Sequence, residues 1–342
     1  MHFFRFFLFT LLTCCGLATA SPNTTWTHGP IDAVYTWVNN NDRTWQREKR
    51  KYAKQAQLAW DSLKKTRFQD RNELKYSLRS IAKYAPFIRR IFIVTAGQYP
   101  KWLKRHPKIT VVHHKQIFPW DGCLPTFNSM AIESNLHRIP GLSEFYIYFN
   151  DDVFLGRQTT PFTFFNVSKD RKAQTRVFLT KRAIPTSKKQ RQQGSYRSSA
   201  FNSSQAMKQK FAKKQTYYLH DHTPFPSIKS HVLYVEKIFR NIFREVSSHR
   251  FRCHSDYTIT NGLIPYTSLQ NRKGVVSFDH SSISYSFRGK VKRDKHNLER
   301  IFQSKPTFFC IQDASEKKNK EAEACLQKFF EKYFPKKADW EK

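Results

Sequence analysis

The sequence predicts an α/β fold, a mixed and mostly parallel sheet flanked by helices. Three observations predict it. Ile31 to Val38, rich in β-branched and aromatic residues, reads as a strand, and the apolar run Phe145 to Phe149 as a strand buried on both faces. Between them Leu74, Leu78, Ile81 and Ala82 repeat with helical spacing. The second run ends abruptly in Asn150-Asp151-Asp152, and in open α/β sheets ligands lie outside the carboxyl ends of the strands.

In chain order, the first strand runs into Asn39-Asn40-Asn41-Asp42, a turn of residues that tolerate left-handed backbone. Trp45 to about Lys65 reads as a charged helix with Trp45, Tyr52, Leu58 and Trp60 inward. Asp70, with Glu73 three residues on, has the form of a capping box opening the next helix. Strands follow at Arg90 to Thr95, ended by Gly97, and at Ile109 to His113. Phe127-Asn128-Ser129 opens a helix from Met130 to His137, and His137 is taken as structural. Beyond the Asp pair, Ser204 to Lys214 and Ser230 to Val246 are helical, and Phe308 to Asp313 is a strand. Lys317 to Phe334 closes the chain as an amphipathic helix.

One domain, residues 21–342, accommodates these elements. Lys169 to Gln215 holds fourteen Lys or Arg and a single Asp. A basic insertion over about 169–200 is expected there, with Lys181 to Ser199 mobile. The formal net charge of +34 calls for an acidic partner: nucleic acid, anionic glycan, phosphorylated substrate or membrane surface. No nucleic-acid motif is present, and nucleic acid is set aside.

Residues 1–20 read as a signal peptide. Arg5 precedes an apolar run to Ala20, and Ala18-Thr19-Ala20 has a cleavage-site form. The secretory route is therefore expected (Golgi or ER lumen, or export), with periplasm or an uncleaved signal anchor as alternatives. Cys123, Cys253, Cys310 and Cys325 remain after cleavage and allow three pairings; Cys310 with Cys325 is the local choice, and Cys123 with Cys253 follows. No zinc-type Cys/His spacing is evident, so no structural zinc is expected. Asn23, Asn166 and Asn202 open glycosylation triplets.

Three polar stretches carry chemistry. Asp151 and Asp152 are adjacent carboxylates that repel each other and are costly to bury. A divalent cation would hold them, and a solvated turn is the alternative. His220-Asp221-His222 precedes a stiff Pro-x-Pro. Arg250 and Arg252 alternate around Phe251, so both can point one way from an extended segment. They suit forked contacts to phosphate oxygens; two surface arginines are the alternative.

Together these segments resemble the Stealth family of sugar-phosphate transferases. The resemblance rests on four blocks: Ile31 to Asn39; Arg67-Phe68-Gln69-Asp70 through Phe149-Asn150-Asp151-Asp152; His222-Thr223-Pro224 to Arg252; and Cys310-Ile311-Gln312-Asp313 with the closing helix. The sequence departs from the family pattern in the Asn run after Val38 and in Gln312-Asp313 where Asn-Asp is usual. The resemblance implies a glycosyltransferase-A-like core that binds a nucleotide sugar. It implies transfer of a sugar 1-phosphate from a UDP-sugar, such as UDP-GlcNAc, to an acceptor glycan hydroxyl, with release of UMP. Asp151 and Asp152, with Asp313, would hold Mg2+ or Mn2+. His222 would be the general base, its ordinary pKa near ~6.5 suiting the role. Arg252, with Arg250 and Arg79, would neutralise phosphate charge. Asp32, Trp37 and Asn39 would contact the uridine; Arg67, Asp70, Asn128, Ser129, Asn150 and Asn202 complete the expected substrate set. Expected partners are the UDP-sugar and an anionic acceptor glycan or glycoprotein, with a homodimer allowed for. The alternative is a secreted Stealth-like protein that binds carbohydrate or polyanion without catalysis.

Overall fold

The structure, a computed structural model, describes residues 25–342 apart from 55, 57, 185, 188–193, 213–215, 279 and 316. The expected leader and the Asn23 triplet lie outside the described residues. The strands are β1 (Ile31–Thr36), β2 (Ile88–Thr95), β3 (Ile109–His113), β4 (Phe145–Asn150), β5 (Val153–Leu155), β6 (Phe165–Val167) and β7 (Ala173–Val177). They continue with β8 (Leu179–Ala183), β9 (Tyr218–His220), β10 (Phe225–Ile228), β11 (Gly274–Val276), β12 (Ser282–Phe287) and β13 (Phe308–Asp313). The helices are α1 (Arg43–Ala53), α2 (Glu73–Tyr84), α3 (Ser129–Glu133), α4 (Pro161–Phe164), α5 (Ser195–Phe211), α6 (Lys229–Ile238), α7 (Arg240–Ser248), α8 (Ile264–Gln270), α9 (Val291–Ser304) and α10 (Lys320–Tyr333).

The main sheet has the order β10-β4-β1-β2-β3. Strands β4, β1, β2 and β3 are parallel, and β10 is an antiparallel edge. Alternate side chains enter opposite cores, as the two-residue strand period demands. Val34, Phe92 and Tyr148 pack with Met130, Val235 and Leu263 on one face. Ala33, Tyr35, Ile93 and Phe149 pack with Leu74, Leu78 and Phe308 on the other. This is the mixed, mostly parallel sheet that the apolar runs predict.

A second sheet, β12-β13-β5, stands beside the first. The chain passes from β4 to β5 through the turn at Asp151 and Asp152, and the Ile311 N–H donates to the Asp152 carbonyl, 3.0 Å. The acidic pair thus sits where one sheet hands the chain to the next. Phe154 stacks on Phe309 at 4.8 Å, with Leu326 and Phe330 of α10 over them. Gly156 lets β5 run against β13, since a Cβ there would lie 2.1 Å from the Pro306 carbonyl oxygen.

Several elements differ from expectation. Helix α1 ends at Ala53 rather than near Lys65. The expected Met130 to His137 helix is shorter, with a single 3-10 turn at Leu136–Arg138. The expected Ser230 to Val246 helix is broken at Phe239 into α6 and α7. Asp70 is not the cap of α2: Asn72 occupies that position at φ 68, a conformation Asn tolerates, and Asp70 accepts from its N–H at 2.8 Å. The expected mobile insertion is partly built into the fold. Lys181–Ala183 lie in β8, paired with β9, and Ser195–Ser199 open α5.

Cys123, Cys253, Cys310 and Cys325 are free thiols, so the expected disulfides are absent from the structure. Strand periodicity explains the local pair. Cys310 faces the core shared with Phe308 and Val153, whereas α10, which carries Cys325, covers the Phe309 and Ile311 face. No helix among the described residues is long and apolar enough to cross a membrane.

Candidate active site

A cavity of about 560 Å³ opens at the carboxyl ends of β1 and β4 and reaches the start of the second sheet. That volume suits a nucleotide-sized ligand. Thr36, Asn150, Asp151 and Asp152 supply its floor, and His222, Arg252 and Gln312 close it from other segments. A shallower depression of about 680 Å³ over Gly97, His106 and His113 contains no carboxylate.

The floor is acidic and buried. Burial raises the Asp151 carboxyl well above its ordinary range, and the charges of Asp152 and Asp70 push further. Burial also raises Glu73, helped by Asp70 and Asp151. Asp152 is raised by burial and partly relieved by His222. One oxygen of Asp152, Oδ1, is buried with no hydrogen-bond partner among the described residues. Packed carboxylates with an orphaned oxygen fit a divalent cation, which needs only one or two protein carboxylates when phosphate oxygens complete its shell. Asp151 and Asp152 are the residues that would hold it. Asp313 lines the cavity, but its Oδ2 pairs with Arg71 at 3.2 Å and its Oδ1 accepts from the Ser315 N–H at 2.8 Å. The expected set of Asp151, Asp152 and Asp313 therefore does not converge as one ligand cluster among the described residues.

The opposite wall is basic. Arg252 donates to the Ser129 hydroxyl at 2.6 Å. Arg67 is pushed down to about 10 by burial and then by the adjacent Arg252 charge, against the opposing pull of Asp61. Arg67 is ion-paired with Asp61, so Arg252, with the Arg67 charge beside it, is the guanidinium left open to an anion.

His222 stands between these walls. The Gln312 amide nitrogen lies 3.1 Å from its Nδ1, and its backbone N–H donates to Asp221 Oδ1 at 2.9 Å. Burial works to raise Asp221, but bonds from His280, Ser282 and the His222 backbone hold it at about 2. A permanent carboxylate thus fixes the loop on which the His222 ring is carried.

The structure brings together Trp37, Arg67, Ser129, Asn150, Asp151, Asp152, His222, Arg252 and Asp313 around this one cavity. Asp70 sits just behind it, accepting from Trp37 Nε1 at 3.0 Å. Six other expected site residues serve the scaffold. Asp32 lies at the far end of β1, about 13 Å from Thr36 at the rise of a strand. It is fully buried, paired with Arg89, and accepts from the Ser143 N–H. Asn39 is held by Gln98 through its own backbone and shapes the β1 loop. Arg79 forks onto Glu341 with two 2.7 Å bonds, far along α2 from the cavity end. Arg250 donates to the Gly122 and Leu124 carbonyls and covers Tyr52. Asn128 caps α3 and donates to Asp256 at 3.0 Å. Asn202 Nδ2 donates to the His254 and Asp256 carbonyls, both 2.9 Å, so the nitrogen a glycan would need is already engaged. Asn166 Nδ2 is likewise bound to Gln174 at 2.8 Å.

Sequence reasoning missed Glu133, Glu73 and Trp60. Burial raises Glu133 to about 7, Arg252 opposing, and Tyr148 O–H reaches it at 3.4 Å. Its signal was present: Glu133 follows Ser129 by four residues on α3, the same helix face. Trp60 lines the mouth and is 60% exposed, with the Lys64 ammonium 4.0 Å from the centre of its ring.

Residues 29–56 match Stealth protein CR1, conserved region 1; residues 67–173 match CR2; and residues 299–342 match CR4. The chain is 33% identical over 315 residues to a capsular polysaccharide phosphotransferase of Haemophilus influenzae, covering 89% of this chain and 84% of that protein. The chain belongs to the Stealth family. The His222 to Arg252 segment falls outside the three matched Stealth regions, and the cavity ties it to them. Other Stealth relatives are longer. An exopolysaccharide phosphotransferase of Streptomyces coelicolor is 32% identical over 318 residues, 92% of this chain and 52% of that one. Exopolysaccharide phosphotransferase CpsY of Mycobacterium tuberculosis is 33% identical over 91% of this chain and 58% of its own length. The chain thus spans little more than half of those relatives. Among solved structures, a galactosyltransferase, LgtC, in complex with donor and acceptor sugar analogs, has a TM-score of 0.42 at 10% identity, covering 89% of this chain and 95% of that one.

Proposed function

We propose that this Stealth protein is a hexose-1-phosphate transferase. It moves a sugar 1-phosphate from a UDP-sugar, UDP-GlcNAc or a close analogue, to a hydroxyl of an acceptor glycan and releases UMP. One observation carries the reading: a single cavity holds mutually repelling carboxylates on one wall and mutually repelling guanidinium groups on the other. A divalent cation bound to a diphosphate relieves both at once. The relatives named as phosphotransferases support the same class of chemistry.

In this reading the acceptor oxygen attacks the sugar-bearing phosphorus. A new O–P bond forms, the bond from that phosphorus to the bridging oxygen breaks, and UMP leaves with the bridging oxygen. His222 takes the acceptor proton, its ring held by Gln312. Arg252 and Arg67 neutralise the phosphate oxygens as charge shifts toward the leaving group. Asp151 and Asp152 would hold Mg2+ or Mn2+, which supplies positive charge to the diphosphate. Trp37 and Asn150, at the ends of β1 and β4, face the nucleotide side. An anionic acceptor and a secretory compartment belong to this reading through the net charge of +34 and the leader-like residues 1–20.

The test is incubation of the purified protein with a panel of UDP-sugars, an acceptor glycan mixture and Mg2+ or Mn2+. UMP with a phosphodiester-linked product is expected. Glycan binding without UMP from any donor would replace the enzyme with a binding protein.

A further inference from the structure

Outside the cavity, the loop after α7 gathers three metal-ligating groups of different chemistry. His249 Nδ1 lies 2.7 Å from Asp256 Oδ1 and 3.3 Å from Cys253 Sγ. The three donor atoms all lie within 4.8 Å of one another. One imidazole nitrogen thus faces both a carboxylate and a thiol. A single N–H there serves only one of them along a straight line, whereas a metal ion uses all three lone pairs.

We infer that His249, Cys253 and Asp256 form a binding site for a zinc-type divalent ion. The donor set of N, S and O selects a borderline-soft ion over Mg2+ or Ca2+, which take oxygen ligands. The outer contacts that such a site needs are in place. Asp256 is fully buried, and its second oxygen accepts from Asn128 Nδ2 and from the Cys253 N–H, both at 3.0 Å. That leaves Oδ1 turned toward the cluster. Asn202 fixes the backbone on both sides of Ser255. The Ser255 hydroxyl stands 3.2 Å from the thiol, in position for a fourth ligand or to hold a ligand water. His249 and Cys253 are partly exposed, so the ion has an entry path. The spacing, His-x3-Cys-x2-Asp, is not a zinc-finger pattern, which is why no structural zinc is expected from the sequence alone.

The site has a consequence for the cavity. Arg252 lies between the ligands His249 and Cys253, and its guanidinium reaches Ser129. A bound ion therefore clamps both ends of the segment that carries Arg252. It acts as a positioning site, distinct from Asp151 and Asp152.

The test uses the full chain, stripped with a chelator and titrated with Co2+ as a spectroscopic probe, then with Zn2+. One equivalent of Co2+ with a thiolate-to-cobalt charge-transfer band, displaced by Zn2+, is expected. Cys253→Ser loses the band and binds Zn2+ more than ~100-fold more weakly, beyond the loss typical of outer-contact changes; Cys325→Ser and Asp151→Asn keep it. As a readout that needs no variant, saturating Zn2+ slows alkylation of Cys253, followed by peptide mass spectrometry, at least tenfold. Absence of the band, its persistence in folded Cys253→Ser, or unprotected Cys253 at saturating Zn2+ overturns the inference. None of these readouts depends on sugar-phosphate transfer.

Discussion

Arg79 is the sharpest place to separate scaffold from catalyst. It lies in the longest of the matched Stealth regions, so motif reasoning assigns it to phosphate. The structure instead buries it against the chain's end. Its Nε and one terminal nitrogen fork onto Glu341 at 2.7 Å, and the other terminal nitrogen donates to the Phe334 carbonyl at 2.7 Å. Arg79 and Glu341 side chains are 6% and 1% exposed, so neither charge is shared with water. Around them Trp340 is buried, its carbonyl accepts from Lys104, and Lys342 donates to Trp102. Arg79→Met removes three bonds and leaves the buried Glu341 carboxylate with only the Ala338 N–H at 3.0 Å and the Lys75 ammonium at 3.7 Å. Breaking one side of a buried pair costs about 3–5 kcal/mol. At roughly 2 °C per kcal/mol for a chain this long, the melting temperature should fall by about 6–10 °C. Replacing both partners, Arg79→Met with Glu341→Met, should recover more than half of that, because no buried charge is left alone. Melting is followed by circular dichroism, and UMP release is measured well below the lower midpoint. There kcat of Arg79→Met should stay within about threefold of the parent. A kcat loss of a hundredfold or more at unchanged melting temperature would refute the assignment and return Arg79 to the phosphate.

Three further outcomes follow from the cavity. Asp151→Asn should abolish UMP release, raise the melting temperature of the metal-free protein by relieving its crowded carboxylates, and erase the upward shift that Mg2+ or Mn2+ gives the parent; differential scanning fluorimetry reads the last two. Glu133, near 7 in the fold against an ordinary 4.5, binds more protons folded than unfolded, so its contribution is full below about pH 4.5 and lost as pH rises through 7. Urea unfolding at pH 5 and pH 8 should show Glu133→Gln losing about 2–3 kcal/mol less than the parent across that window. Trp60→Ala, removing the exposed ring at the cavity mouth, should raise the acceptor KM about tenfold, near 1.4 kcal/mol, with kcat nearly unchanged; an unchanged KM would place the acceptor elsewhere.

The parts of the fold that were legible in the sequence are those whose burial is written locally. Strands β3, β4 and β13 are mostly apolar runs, and β1 is one interrupted by Asp32, because both faces of each strand meet a core. Strand β10 hides behind Pro226, which reads as a loop signal; it is tolerated because β10 is an edge strand paired only with β4. Strand β12, Ser-Ile-Ser-Tyr-Ser-Phe, alternates clearly but is a strand only beside β13. The site divides in the same way. Asp151, Asp152 and His222 announce themselves by clustering. Arg79, Arg250 and Arg252 are chemically identical, and only their partners tell them apart: a buried carboxylate, two carbonyls, or an open cavity. Asp32 fails for a geometric reason, being at the amino end of a strand whose carboxyl end carries the chemistry. For Glu133 the sequence shows only its place on the Ser129 face of α3; its raised pKa comes from burial, which is set by several elements together and is opposed by Arg252, Ser129 and Tyr148.

Charge distribution argues against the reading of the chain as a simple polyanion binder. The chain carries 60 Lys and Arg against 26 Asp and Glu. The cavity inverts that ratio, with seven carboxylates in its wall (Asp61, Glu73, Glu133, Asp151, Asp152, Asp221 and Asp313) against Lys64, Arg67 and Arg252. A surface selected only to hold anions gains nothing from burying acids, each of which costs stability unless it is neutralised. The inversion makes sense if the basic exterior draws anionic substrates in while the acidic floor admits phosphate only together with a cation. Under the proposed function, free anionic glycan would bind the outside, and the cavity would take a diphosphate only together with its metal ion.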